Sequence, residues 1–213
     1  MKHRASHTDL KSGFTMMEIA IVIGIIGLIA GAIWAAGSKV LAQNALRNAE
    51  RQLAIISQNM RAAYAEQGGV AGIAATLTPA LDKMRIFPAE LRANASNPNG
   101  MLFHIWNRTV QGNGFGTVQI AADNCAGVVA GATISACFQV SFLDLPSSAC
   151  INLATETSRS DSTLQRIIIN GTLVGDRDTP GTPLPVPPSV AQNECSLTDN
   201  DVIWVYLLRD NRS

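Results

Sequence analysis

The chain has 213 residues, enough for one compact domain with an extended segment or for two small domains. Hydrophobic residues make up 47% and charged residues only 15%, which excludes a solvated, disordered chain. Basic and acidic residues number 16 each and two of the three histidines (His3, His7, His104) fall in the first seven positions, so neither a polycationic nucleic-acid binder nor a histidine-based metal or proton-transfer site is expected.

The opening segment, MKHRASHTDLKSG, carries Lys2, Arg4 and Lys11 against the single Asp9. Residues 19–38, IAIVIGIIGLIAGAIWAAGS, then run for 20 positions without a charge. At about 1.5 Å per residue this crosses a bilayer as a helix, and a buried core helix would keep a polar face over five turns. The run exceeds the roughly 7–15 apolar residues of an ordinary secretory signal, so a stable anchor is expected rather than a signal cut at Ala35-Ala36-Gly37. The basic flank places the start of the chain in the cytoplasm and exports everything after Ser38. Gly27 and Gly31 form a GxxxG spacing within the run, which lets helices approach closely in lipid.

Glu18 lies one residue before the uncharged run, inside an apolar block that begins at Phe14. A carboxylate there either marks the interfacial end of the span or has a partner, because a bare charge in hydrocarbon is costly. Read together, Lys11-Ser12-Gly13-Phe14-Thr15-Met16-Met17-Glu18 followed by an apolar helix resembles the processing site of type IV prepilins and pseudopilins. In that family a short basic leader ends in Gly, an apolar residue follows, and Glu is the fifth residue after the cut. Glu18 is the fifth residue after Gly13, so the spacing matches. The resemblance implies that a prepilin peptidase cleaves between Gly13 and Phe14 and methylates the new amine of Phe14. It further implies that Glu18 pairs with that amine on a neighbouring subunit and sets the register of assembly. A glycine at the cut lets an extended leader enter the peptidase without a side-chain clash. The proline that many type IVa members carry in this span is absent, the first proline being Pro79.

From Lys39 to Gln67 the pattern becomes amphipathic. Leu46, Ala49, Leu53, Ile56, Met60 and Ala63 recur at steps of three and four, with Arg47, Glu50, Arg51, Arg61 and Glu66 mostly off that stripe. Gly68-Gly69 supplies a stop. One helix of about 50 residues is therefore predicted, its first half in the membrane and its second packed on a sheet.

Beyond it the sequence predicts a short helix over residues 79–91 and strands over 102–110, 117–121, 138–143, 167–174 and 202–208. Turn signals separate them at Asn97-Pro98-Asn99-Gly100, Gly112-Asn113-Gly114 and the Pro-rich TPGTPLPVPP that starts at Thr179. Asn170-Gly171 allows the fourth strand to split into a hairpin. Leu145-Pro146-Ser147-Ser148 reads as a helix start that puts Cys150 and Leu153 on a core face. The economical fold is α+β, an antiparallel sheet wrapped on the amphipathic half-helix. Asp176-Arg177-Asp178 and Asp199-Asn200-Asp201 read as solvated turns, lacking the glycine turn and downstream Glu of a calcium loop.

All four cysteines, Cys125, Cys137, Cys150 and Cys195, fall in the exported part, where an oxidising compartment favours disulfides and three pairings are open. Resemblance to the C-terminal disulfide-bounded region of type IVb pilins implies Cys150–Cys195, with Cys125–Cys137 closing a smaller loop. No CxxC is present, and no metal is expected.

The organisation expected is a leader over 1–13, cleaved; a membrane and filament-core helix over 14–38; its amphipathic continuation over 39–67; and a periplasmic or extracellular head over 68–213. The long head, four cysteines and C-terminal bridge are similar to type IVb pilins, whereas the 13-residue leader and Phe14 are more like type IVa. The implied function is that of a structural subunit of a bacterial type IV pilus, not an enzyme and without a cofactor. Its implied partners are other copies in a helical filament, the prepilin peptidase, an inner-membrane assembly platform and the inner membrane before assembly; no nucleic acid is expected. The alternatives are a minor pilin or secretion pseudopilin, and a membrane-anchored periplasmic receptor or enzyme.

Overall fold

A computed structural model of the chain describes residues 15–64, 84–92, 101–108, 111, 116–123 and 137–208. Its first element, α1, is a single helix over Met16–Tyr64. The chain divides into two compact units, one ending at Asn44 and the other running from Ala45.

In the first unit the described side chains of residues 15–44 are all exposed, including Ile25, Ile26, Leu28 and Trp34. The helix is long and apolar enough to cross a membrane, and none of its most apolar window is buried within the protein. An added Cβ at Gly24, Gly27, Gly31 or Gly37 would meet nothing within 4 Å.

The second unit is built on a five-stranded sheet. Its strands are β1 (Val118–Asp123), β2 (Cys137–Leu145), β3 (Leu164–Ile169), β4 (Thr172–Asp176) and β5 (Asn200–Leu207). They lie in the order β1-β2-β5-β3-β4, and every neighbouring pair is antiparallel. Alternation along β5 assigns the faces: Val202, Trp204 and Tyr206 enter the main core, while Val205 and Leu207 join Cys137 in a smaller cluster. The stripe read from sequence meets the main core. Ala49, Leu53, Ile56 and Met60 are fully buried there, with Leu46 and Ala63 packed at its margin. Residues of α2 (Ser147–Ser160) share that core, led by Cys150, Leu153 and Ala154. Pro146 caps α2 at its N-terminus, and its carbonyl receives the Ala149 and Cys150 N–H groups.

The predicted fourth strand is a hairpin. Asn170 (φ 50°) and Gly171 (φ 82°) both take left-handed backbone between β3 and β4, as a two-residue primed turn requires. Over the described residues 102–108 the predicted strand is not one: only Leu102 makes ladder bridges, to Arg92 and Val118, while residues 109 and 110 lie outside the described residues. Side chains take the backbone groups that a neighbouring strand would have used. The His104 N–H donates to the Thr117 hydroxyl, the Asn107 N–H donates to His104 Nδ1, and the Thr117 hydroxyl donates to the Asn107 carbonyl. Gly116 is obligatory beside this turn, because a Cβ would sit 1.9 Å from the Leu102 carbonyl oxygen.

Two further segments differ from the sequence expectation. Of the predicted helix over 79–91, residues 79–83 lie outside the described residues, and the rest holds only a 3-10 turn at Ala89–Leu91 after Pro88. The Pro-rich stretch ends not as a loop but in α3 (Pro188–Glu194), because Pro188 fits the first turn of a helix, where its missing N–H costs nothing. The Gly68-Gly69 stop lies outside the described residues.

Candidate functional site

Two places gather the residues that the sequence singles out: the N-terminus of α1 and the disulfide corner of the head.

At the first, Thr15 and Glu18 form a reciprocal capping box. The Thr15 N–H and hydroxyl donate to Glu18 Oε2 at 2.8 and 2.9 Å, and the Glu18 N–H donates back to Thr15 Oγ1 at 3.3 Å. Thr15-Met16-Met17-Glu18 is the T-x-x-E signature of such a cap, a signal present in the sequence beside the processing motif. Two otherwise orphaned N–H groups are thereby satisfied, and the carboxylate sits at the positive end of the helix dipole. Glu18 thus has a partner within its own chain. Gly13 and Phe14 lie outside the described residues.

At the second, a disulfide joins Cys150 of α2 to Cys195 at the end of α3, with Cα atoms 5.9 Å apart. Both cysteines are buried. Cys137 at the start of β2 is also disulfide-bonded; Cys125, its expected partner, lies outside the described residues.

Asparagines brace the segment around Cys195. Asn200, fully buried, donates to the carbonyls of Leu145 and Leu197 and accepts from the Leu197 N–H. Asn170, at the hairpin turn, donates to the Glu194 carbonyl at 2.8 Å and to Asn200 Oδ1 at 3.0 Å, and accepts from the Asp201 N–H at 2.9 Å. One side chain therefore ties together the β3–β4 turn, the end of α3 and the start of β5. Only the Asn-Gly dipeptide hints at this in the sequence, since these bonds depend on segments 24 to 31 residues away. Asp199-Asn200-Asp201 is thus a turn braced through its buried Asn200, with Asp199 and Asp201 exposed to solvent as expected.

Asp176, by contrast, departs from the solvated turn expected of it, while Arg177 and Asp178 beside it are exposed. It is buried, pairs with Arg166 Nε at 3.0 Å, and accepts from the Thr179 hydroxyl and the Asp178 N–H. Burial alone would push its carboxyl up, but these bonds and the guanidinium outweigh it and hold the group below its ordinary value. His104 is buried between Trp106 and Phe142. Its Nε2–H donates to the Leu143 carbonyl, which fixes the tautomer and leaves Nδ1 to accept from Asn107. Burial holds the imidazole below its ordinary pKa, with the Leu143 bond and the Asp144 charge opposing. Among the described residues no three His, Cys, Asp or Glu side chains converge to hold a metal ion.

A helix bare and apolar over one half, whose other half seats in an antiparallel sheet with a disulfide-closed C-terminal region, defines a pilin-like class of protein. A family model described as PilS N terminal matches residues 43–207, and the chain belongs to that family of type IV pilins. The crystal structure of a type IVb pilin from Salmonella typhi is similar over 75% of this chain and 96% of its own, at 21% sequence identity and a TM-score of 0.48. No curated protein matches the chain.

Proposed function

We propose that the chain is a structural subunit of a bacterial type IVb pilus, without enzymatic activity of its own. The carrying observation is the division within α1: residues 45–64 bury a stripe in the head, while the described apolar side chains before them are all exposed. Twenty uncharged residues left bare in water would aggregate, so lipid and then the helices of other copies are the environments that suit them.

The sequence of events follows. The prepilin resides in the inner membrane with its start in the cytoplasm. A prepilin peptidase cuts between Gly13 and Phe14 and methylates Phe14. An inner-membrane platform then transfers the apolar helix from lipid into a growing filament, where Glu18 faces the Phe14 amine of a neighbouring copy. The capping box gives Glu18 hydrogen bonds to its own chain, so its charge is partly satisfied while a cation from another copy is sought. Extracellular exposure suits a head closed by the Cys150–Cys195 bridge.

The test is biochemical. Mass measurement of the mature protein is expected to show the loss of residues 1–13 and a methyl group on Phe14, and Gly13→Val is expected to retain the leader. Sheared surface filaments are expected to contain this chain as the bulk subunit. A trace amount there would make it a minor pilin, and an uncut chain absent from any filament would refute the reading.

A further inference from the structure

A cavity of about 180 Å³ opens where α1, α2 and β5 meet, with Glu50, Glu156, Asp161, Thr157 and Tyr206 on its wall and Leu53 beneath. Two of these groups have no protein partner among the described residues. Tyr206 is only 2% exposed and stacks on Phe138 at 5.5 Å, yet its hydroxyl has no hydrogen-bond partner among the described residues. Buried tyrosine hydroxyls usually find one. The neighbouring Trp204 has taken the Thr157 hydroxyl, to which its indole N–H donates at 2.8 Å. Of the three carboxylates, Asp161 meets Arg61 at 3.5 Å and Glu156 meets Arg159 at 3.1 Å, but Glu50 makes no ion pair among the described residues. Burial and the charge of Glu156 raise its carboxyl above the ordinary value, with Arg47 opposing.

We propose that this cavity binds an organic cation, an ammonium or guanidinium group on a short aliphatic stem, with Glu50 as counter-charge and the Tyr206 oxygen accepting one of its N–H bonds. The chemistry favours such a group over a metal ion. Three carboxylates, two already engaged by arginines, leave too few oxygen ligands for a bare divalent ion. Leu53 and Ala54 offer the apolar wall that a methylene stem requires. The cation has two sources: a lysine or arginine side chain of another copy, which rests on the filament reading, or a free small amine, which does not.

The test uses the full chain in detergent micelles with its disulfides intact, N-ethylguanidinium as probe and N-ethylurea as its uncharged counterpart, read by calorimetry and by Trp204 fluorescence. Saturable binding of the guanidinium but not the urea is expected. Glu50→Gln is expected to weaken it about tenfold or more and Tyr206→Phe about three- to tenfold, in line with a charged and a neutral hydrogen bond. Thermal unfolding of both variants checks that the fold survives, and Glu50→Gln alone decides if Tyr206→Phe does not fold. No saturable binding, equal binding of the urea, or unchanged affinity in Glu50→Gln would overturn the proposal. In sheared filaments, loss of probe binding assigns the site to a neighbouring copy's side chain, and retention assigns it to a free amine.

Discussion

Over residues 19–38, α1 carries no charge and turns its described side chains outward on every side. Over residues 45–64 the same helix alternates charged positions with a stripe that is sealed from water. Local propensity does not separate the halves, since both are helical. The difference is where the apolar surface finds a partner. The second half supplies a stripe that one sheet can cover, whereas the first offers apolar surface all round, which no single neighbour within a small head could bury. Stability of the head therefore draws on the second half of this element.

The largest test of that division is Ile56→Ala. Truncating this fully buried side chain is expected to cost the head about 2–5 kcal/mol, measured by denaturant unfolding. The same truncation at exposed Ile26 is expected to leave head stability unchanged and to show itself only in filament yield; a comparable loss of head stability at Ile26 would break the comparison.

Next in size is the bridge. Replacing Cys150 and Cys195 by serine together opens a loop with a sequence separation of 45 residues. The chain entropy released in the unfolded state puts the loss at about 4 kcal/mol. The Asn170 and Asn200 bonds are expected to keep part of the corner ordered, read as amide protection of residues 194–201 under conditions where the variant is still folded.

Smaller effects come from pH. Unfolded His104 takes up a proton below about pH 6.5, while the buried imidazole resists it. The unfolded chain then binds more protons, so stability declines as pH falls from about 6.5 toward the folded pKa, and His104→Gln is expected to remove that slope. Asp176 acts lower down. Its carboxyl is held below its ordinary value, so its contribution is complete above about pH 4 and is lost as pH falls through the folded pKa. Arg166→Met is expected to cost about 1–3 kcal/mol at neutral pH and to shift acid unfolding upward, since it strips a partner from a buried carboxylate.

The smallest expected effect is at Thr15. Thr15→Ala removes one side of the capping box and is expected to speed amide exchange in the first turn of α1 while leaving head stability untouched.

The legible parts of this protein were those set by period and by single residues. The 3.6-residue stripe from Leu46 to Ala63, the Asn170-Gly171 hairpin and the helix after Pro146 each act within one turn or one strand, so the residues responsible lie next to one another. The strand expected at 102–110 shows the opposite case: its composition favours extension, but Thr117 and His104 capture its backbone from a distance. The helix at Pro188–Glu194 was hidden because prolines punctuate both loops and helix starts.

Residue order by itself determined the apolar span, the amphipathic continuation, the Gly13–Glu18 motif and an α+β head, because each depends on spacing along the chain. Tertiary structure alone decided the strand order β1-β2-β5-β3-β4, the burial of Asp176 against Arg166, the clamp made by Asn170 and Asn200, and the meeting of Glu50 with Tyr206 at one cavity. Those features join residues distant in sequence, and a polar side chain does not reveal its partner until the fold has removed water from around it.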